Sequence, residues 1–154
     1  MLKPLILCIL LSMAPISELR GALIYGMVQE IPLGLLFPVC VAANLIPVPF
    51  IILLMRKILD FMQSRGGVIK KAADWLIERG EKKSATVKRN ELLGMFLLVA
   101  IPLPGTGVWT AGLVAALLRR RVRDSIVSIG AGVIVAGILV ILMSKGVIHV
   151  AGLI

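Results

Sequence analysis

Apolar residues in this chain come in blocks, and polar residues gather between them. The blocks are 4–14, 22–28, 33–55, 92–118 and 125–144. At about 1.5 Å per residue, 4–14 makes about 16 Å of helix and 22–28 about 10 Å, each half a bilayer or less. Leu33–Met55 and Ser125–Ser144 make about 33 Å and about 30 Å, enough to cross one. Leu33–Met55 carries Pro38, Pro47 and Pro49, which predict a kinked helix. Residues 56–90 have a different pattern. Ile58, Phe61 and Met62, then Ile69, Ala72, Ala73, Leu76 and Ile77, recur at helical spacing among basic residues. Gly66-Gly67 separates two pieces and Gly80 is the expected stop of the second. These read as two short amphipathic helices on the cytoplasmic surface, with Trp75 at the interface, or as a solvated linker with helical propensity.

The block 92–118 would be one crossing but for Ile101-Pro102-Leu103-Pro104-Gly105-Thr106-Gly107-Val108-Trp109 at its centre. Pro102 and Pro104 remove backbone donors and restrict the residues before them, while Gly105 and Gly107 permit unusual backbone angles. Backbone opened at membrane depth is tolerated only where it is buried in protein or lines a polar cavity. The break is therefore a site candidate. Pro15 to Gly21, between the two N-terminal half-length blocks, is its counterpart.

Composition fixes the class. The chain has 154 residues, is 59% hydrophobic, and carries a formal charge of +9. That is an integral membrane protein. The charge is not spread as for nucleic-acid binding: the bases cluster at Arg56–Arg89 and Arg119–Arg123, both beside apolar segments. Such clusters set orientation by the positive-inside rule and suit anionic lipid. A single crossing by 92–118 would put one cluster outside, so the segment is read as a re-entrant hairpin with both flanks cytoplasmic. Leu33–Met55 then runs inward and Ser125–Ser144 outward. Each half reads as half-helix, break, half-helix, full span, with Gly21 and Gly26 matching Gly107 and Gly112 at a fixed offset. The expected architecture is an all-α integral membrane protein of two inverted repeats. Each is a re-entrant helical hairpin plus a transmembrane helix, the repeats being 1–55 and 91–154, joined by the amphipathic section 56–90 in a single membrane domain. Paired broken segments of this kind mark a midplane binding site in transporters. Lys3 and the apolar residues after it have the look of a signal peptide, but the cleavage pattern is weak and the segment is expected to be retained.

Glu18 and Arg20 are the charges of the N-terminal unit, and intramembrane charges point to function by default. Either they lock the first tip, or Glu18 takes a proton or coupling cation while Arg20 receives an anionic group. Pro102, Gly105 and Gly107 open backbone at the second tip, Thr106 and Thr110 add hydroxyls, and a helix starting near Val108 presents the positive end of its dipole. Trp109 stacks on a ligand or fills space. Asn44, central in its span, needs a hydrogen-bond partner on another helix or on a ligand. Cys8 and Cys40 read as buried thiols, and His149 as a terminal solvated or interfacial histidine. No Ser/His/Asp set and no metal spacing is present, so neither an enzyme nor a metal or cofactor protein is expected.

The segments Pro-Ile-Ser-Glu-Leu-Arg-Gly-Ala (Pro15 to Ala22), Asn44 with Pro47-Val48-Pro49, and Ile101 to Trp109 resemble the small multi-drug export protein family of prokaryotic membrane proteins. That resemblance implies export across a prokaryotic plasma membrane. The hairpin-plus-span duplication is also similar to the DedA membrane proteins, which implies facing hairpins and, for some members, transport of polyprenyl-phosphate lipid carriers. DedA-like second tips carry arginines, where this chain has Thr106 and Trp109. The leading expectation is an ion-coupled exporter with its site between the tips. The alternatives are a lipid-carrier flippase and a membrane structural or assembly protein. A homodimer is expected from the small size.

Overall fold

The computed structural model describes residues 2–85, 90–101 and 107–151. Among the described residues every regular element is a helix: α1 (Leu2–Met13), α2 (Glu18–Val28), α3 (Leu33–Leu45), α4 (Pro47–Ser64), α5 (Gly67–Ala85), α6 (Glu91–Ala100), α7 (Val108–Leu117) and α8 (Val122–Ala151). Two stretches are long and apolar enough to cross a membrane, Leu33–Ser64 and Val122–Gly146. The helices α1, α6 and α7 are apolar but short.

The boundaries follow local chemistry. Helix α1 stops just before Pro15, which disfavours helical angles in the residue ahead of it. The chain turns through 14–17, where Glu18 N–H reaches Ala14 O at 3.0 Å, and α2 begins with Glu18 in its first turn. Helix α2 ends in a Schellman-type cap: Glu30 takes a left-handed φ of 57° and Ile31 N–H bonds Gly26 O at 3.0 Å. Pro47 and Pro49 cannot donate to Ala43 and Leu45, which separates α3 from α4. Ile46 between them keeps helical angles, so the pair runs on as one interrupted span.

Three expected boundaries differ. Ile58, Phe61 and Met62 belong to α4, which continues to Ser64, so the first amphipathic piece is not a separate helix. Gly80 does not end α5, which extends to Ala85. A mid-helix glycine costs about 1 kcal/mol relative to alanine, too little to stop a helix whose neighbours favour it. Helix α8 starts at Val122 with Asp124 inside its first turn, where the carboxylate meets the positive helix end, and it extends past Ser144.

Each short first arm packs on the long helix of its own half, α1 on α3 and α6 on α8. Each second arm also packs on the long helix of the other half, α2 on α8 and α7 on α4. In lipid the helices gain little from hydrophobic burial, so association rests on close packing and small residues. Gly132 lets α8 approach α6 until an added Cβ would lie 2.7 Å from Phe96 O, and Gly137 lies as close to the Phe37 ring. Ser12 Oγ donates to Cys40 O at 2.6 Å between α1 and α3, and Ser128 Oγ donates to Leu92 O between α8 and α6. Leu23, Leu36, Ile52, Met95 and Ile129 are fully buried between the elements. Large apolar side chains on the outer faces, among them Phe50, Leu54 and Leu142, are exposed. That is the arrangement a surrounding hydrocarbon phase accommodates.

Candidate functional site

The site lies where the start of α2 meets the start of α7. Glu18 is the first residue of α2 and holds a left-handed φ of 48°, an uncommon conformation for a non-glycine residue. Its carboxylate accepts backbone N–H bonds from Val108 and Trp109, two of the orphan donors at the start of α7. Gly107 precedes that helix and is buried. An added Cβ at Gly107 would overlap both carboxylate oxygens of Glu18. Its backbone is extended, so the requirement for glycine is the close approach of the carboxylate rather than a special dihedral. A negative group on the first turn of a helix is favourable both by hydrogen bonding and by the helix dipole.

Two further bonds tie the same regions together. Arg20, two residues on in the first turn of α2, donates from Nη2 to Ile101 O at 3.3 Å. Trp109 donates from Nε1 to Met13 O, also at 3.3 Å. The carbonyls of Met13 and Ile101 lie at the ends of α1 and α6, beyond their intrahelical partners. Each therefore takes a donor from the opposite half of the chain. Glu18 and Arg20 are half-buried, as are Trp109 and Thr110.

The structure thus brings together four of the residues expected from sequence, Glu18, Arg20, Gly107 and Trp109, with Thr110 one residue further into α7. The tryptophan's polar edge is engaged with backbone. Pro102, Gly105 and Thr106 were also expected here, and they lie outside the described residues, as does Pro104. Asn44 is on α3, only 2% exposed, and its Oδ1 has no hydrogen-bond partner among the described residues. Among the described residues no group of His, Cys, Asp and Glu could hold a metal ion.

A second polar cluster, not anticipated, gathers where α4, α6 and the α7–α8 turn meet. Arg119, at a left-handed φ of 49°, bonds Asp60 at 2.8 Å and Gln63 at 3.2 Å. Arg120 pairs with Glu91, and Arg56 donates to Arg120 O. Glu91 is only 8% exposed. Its carboxylate raises the pKa of the Arg120 guanidinium above its already high ordinary value, so that guanidinium stays charged. The signal available in sequence was a lone acid at the head of an apolar helix. The partner, Arg120, is set by the fold.

Residues 18–139 match the model of the family described as "Putative small multi-drug export protein". The chain belongs to that family. The matched region begins at Glu18 and contains the α7 start as well, so both sides of the candidate site fall inside it. No curated protein and no solved structure matches the chain.

Proposed function

We propose that this member of the small multi-drug export family is an ion-coupled exporter whose site is the junction between the two breaks, with Glu18 as the coupling carboxylate. The observation that carries the proposal is the seat of that carboxylate. It rests on the backbone N–H groups of Val108 and Trp109, against Gly107, at the meeting of the two halves of the chain. A carboxylate held there is one proton or one cation away from losing its hold. Neutralised, it no longer gains from the helix dipole, and the N–H bonds it accepts weaken from charge-assisted to neutral strength. The α2–α7 contact would then loosen, and the second arms, each packed on the other half's long helix, would move with it. Arg20 on Ile101 O is the neighbouring cation that a departing or arriving anionic group would engage.

The packing also supports the inverted-repeat reading. The paired contacts α1 on α3 with α6 on α8, and α2 on α8 with α7 on α4, are those of two like halves that exchange their second arms. On this reading the breaks ahead of α2 and ahead of α7 are the tips of two re-entrant hairpins near the bilayer midplane. The basic cluster around Arg119 and Arg120 lies on the cytoplasmic side of a prokaryotic plasma membrane.

The test is efflux or uptake of anionic and cationic dyes in proteoliposomes under an imposed proton or sodium gradient. Glu18→Gln keeps the shape and is expected to abolish gradient-driven transport while the protein remains folded. Arg20→Ala is expected to reduce it. Full gradient-driven transport by both variants would leave Glu18 and Arg20 as fold-locking residues and refute the coupling role. Transport of polyprenyl phosphate but not of dyes would favour the lipid-carrier alternative.

A further inference from the structure

Helix α5 is apolar on more of its surface than the protein covers. Ala73 is buried and Ile77 half-buried, and this side packs on α4 and α7. Beside it, at helical spacing, Val68, Ile69, Trp75 and Leu76 form a second apolar face, exposed at 82%, 51%, 53% and 40%. The exposed apolar stripe of α4 (Phe50, Leu54, Ile58, Phe61) leads towards it. Cations mark the same region. Lys70 and Lys71 are exposed on α5, and the Arg65 guanidinium stands 4.7 Å from the centre of the Phe61 ring. The polar side of α5 is joined to α4 by Gln63 Nε2 donating to Asp74 at 2.9 Å, on the side of the helix away from the exposed apolar face.

We infer that this face of α5 is a docking surface for anionic phospholipid, with the apolar residues in the headgroup–acyl boundary and Arg65, Lys70 and Lys71 on the acidic headgroups. A helix with one apolar face, a tryptophan on it and lysines beside it has the composition of an interfacial helix. Its charge selects the lipid: three cations near an anionic surface, at about a factor of five each, favour acidic over zwitterionic lipid by about a hundredfold at low salt. Because α5 touches both α4 and α7, the docked lipid bears on the contact between the two halves of the chain. This inference is independent of what the protein exports.

The experiment is amide hydrogen exchange on the full chain in vesicles of phosphatidylcholine alone and of phosphatidylcholine with phosphatidylglycerol. The expected result is slower exchange across residues 67–77 with phosphatidylglycerol, reversed by raised salt and by Lys70→Gln/Lys71→Gln. Exchange in α3 is the folding control and should not change. Equal exchange in the two vesicle types would overturn the lipid selectivity. Fast exchange in both would show a solvated face. Protection in detergent that rises with protein concentration would show a second copy on the face, and would equally overturn the inference.

Discussion

Gly107→Ala is the most telling single substitution in this chain. The added methyl carbon would overlap the Glu18 carboxylate, which lies between the Gly107 backbone and the first N–H groups of α7. Either the carboxylate leaves or α2 and α7 separate. In both cases the bonds to Val108 and Trp109 are lost. A hydrogen bond to a charged group contributes about 1.5–3 kcal/mol, and the two share one half-buried carboxylate, so the expected cost is about 3 kcal/mol. Glu18→Ala removes the same bonds and should cost about the same. The double variant removes the carboxylate, the nearest group to the added carbon at 107, so the alanine no longer overlaps it. Its cost should remain about 3 kcal/mol rather than the additive 6 or so, a coupling of about 3 kcal/mol. Thermal unfolding in detergent, followed by far-UV circular dichroism, measures this. For a chain of this size about 3 kcal/mol corresponds to about 6–12 °C in Tm. If the two single shifts simply add, or if Gly107→Ala unfolds within about 1 °C of the parent, the carboxylate does not occupy this seat.

Asn44→Leu should raise stability by about 1–2 kcal/mol, since a buried acceptor with no donor among the described residues is replaced by a side chain of similar volume; loss of dye transport in the same stabilised variant would assign that oxygen to a ligand. Gly132→Leu should destabilise by several kcal/mol or leave the protein unable to fold, because even a Cβ there meets the backbone oxygen of Phe96, and Gly132→Ala should cost about 1–3 kcal/mol in the same melting assay. Glu91→Gln should cost about 1–2 kcal/mol, discounted because Arg120 is half exposed; the Arg120→Gln/Glu91→Gln double variant should recover part of that loss in a double-mutant cycle.

The sequence alone determined the class and most element boundaries. Runs of apolar residues of half or full bilayer length, punctuated by proline and glycine, restrict what a chain in lipid can do with its backbone. That is why α1, α3, α6 and α7 fall within a few residues of where the pattern places them. Glu18, Arg20 and the stretch around Gly107 were legible as a candidate site for a related reason: charges and open backbone are costly in hydrocarbon and need partners. Which partners they take was not legible. That Glu18 sits on the start of α7, that Arg20 and Trp109 take carbonyls from the ends of α6 and α1, and that Glu91 pairs with Arg120 are contacts across many residues of sequence. Local propensity carries no information about them. The same limit explains α5, where a glycine that suggested a stop is overridden by the helix around it. It also explains Asn44, whose need for a partner was evident but whose oxygen finds none among the described residues. A periodic pattern specifies which face must be covered; only the assembled helices decide what covers it.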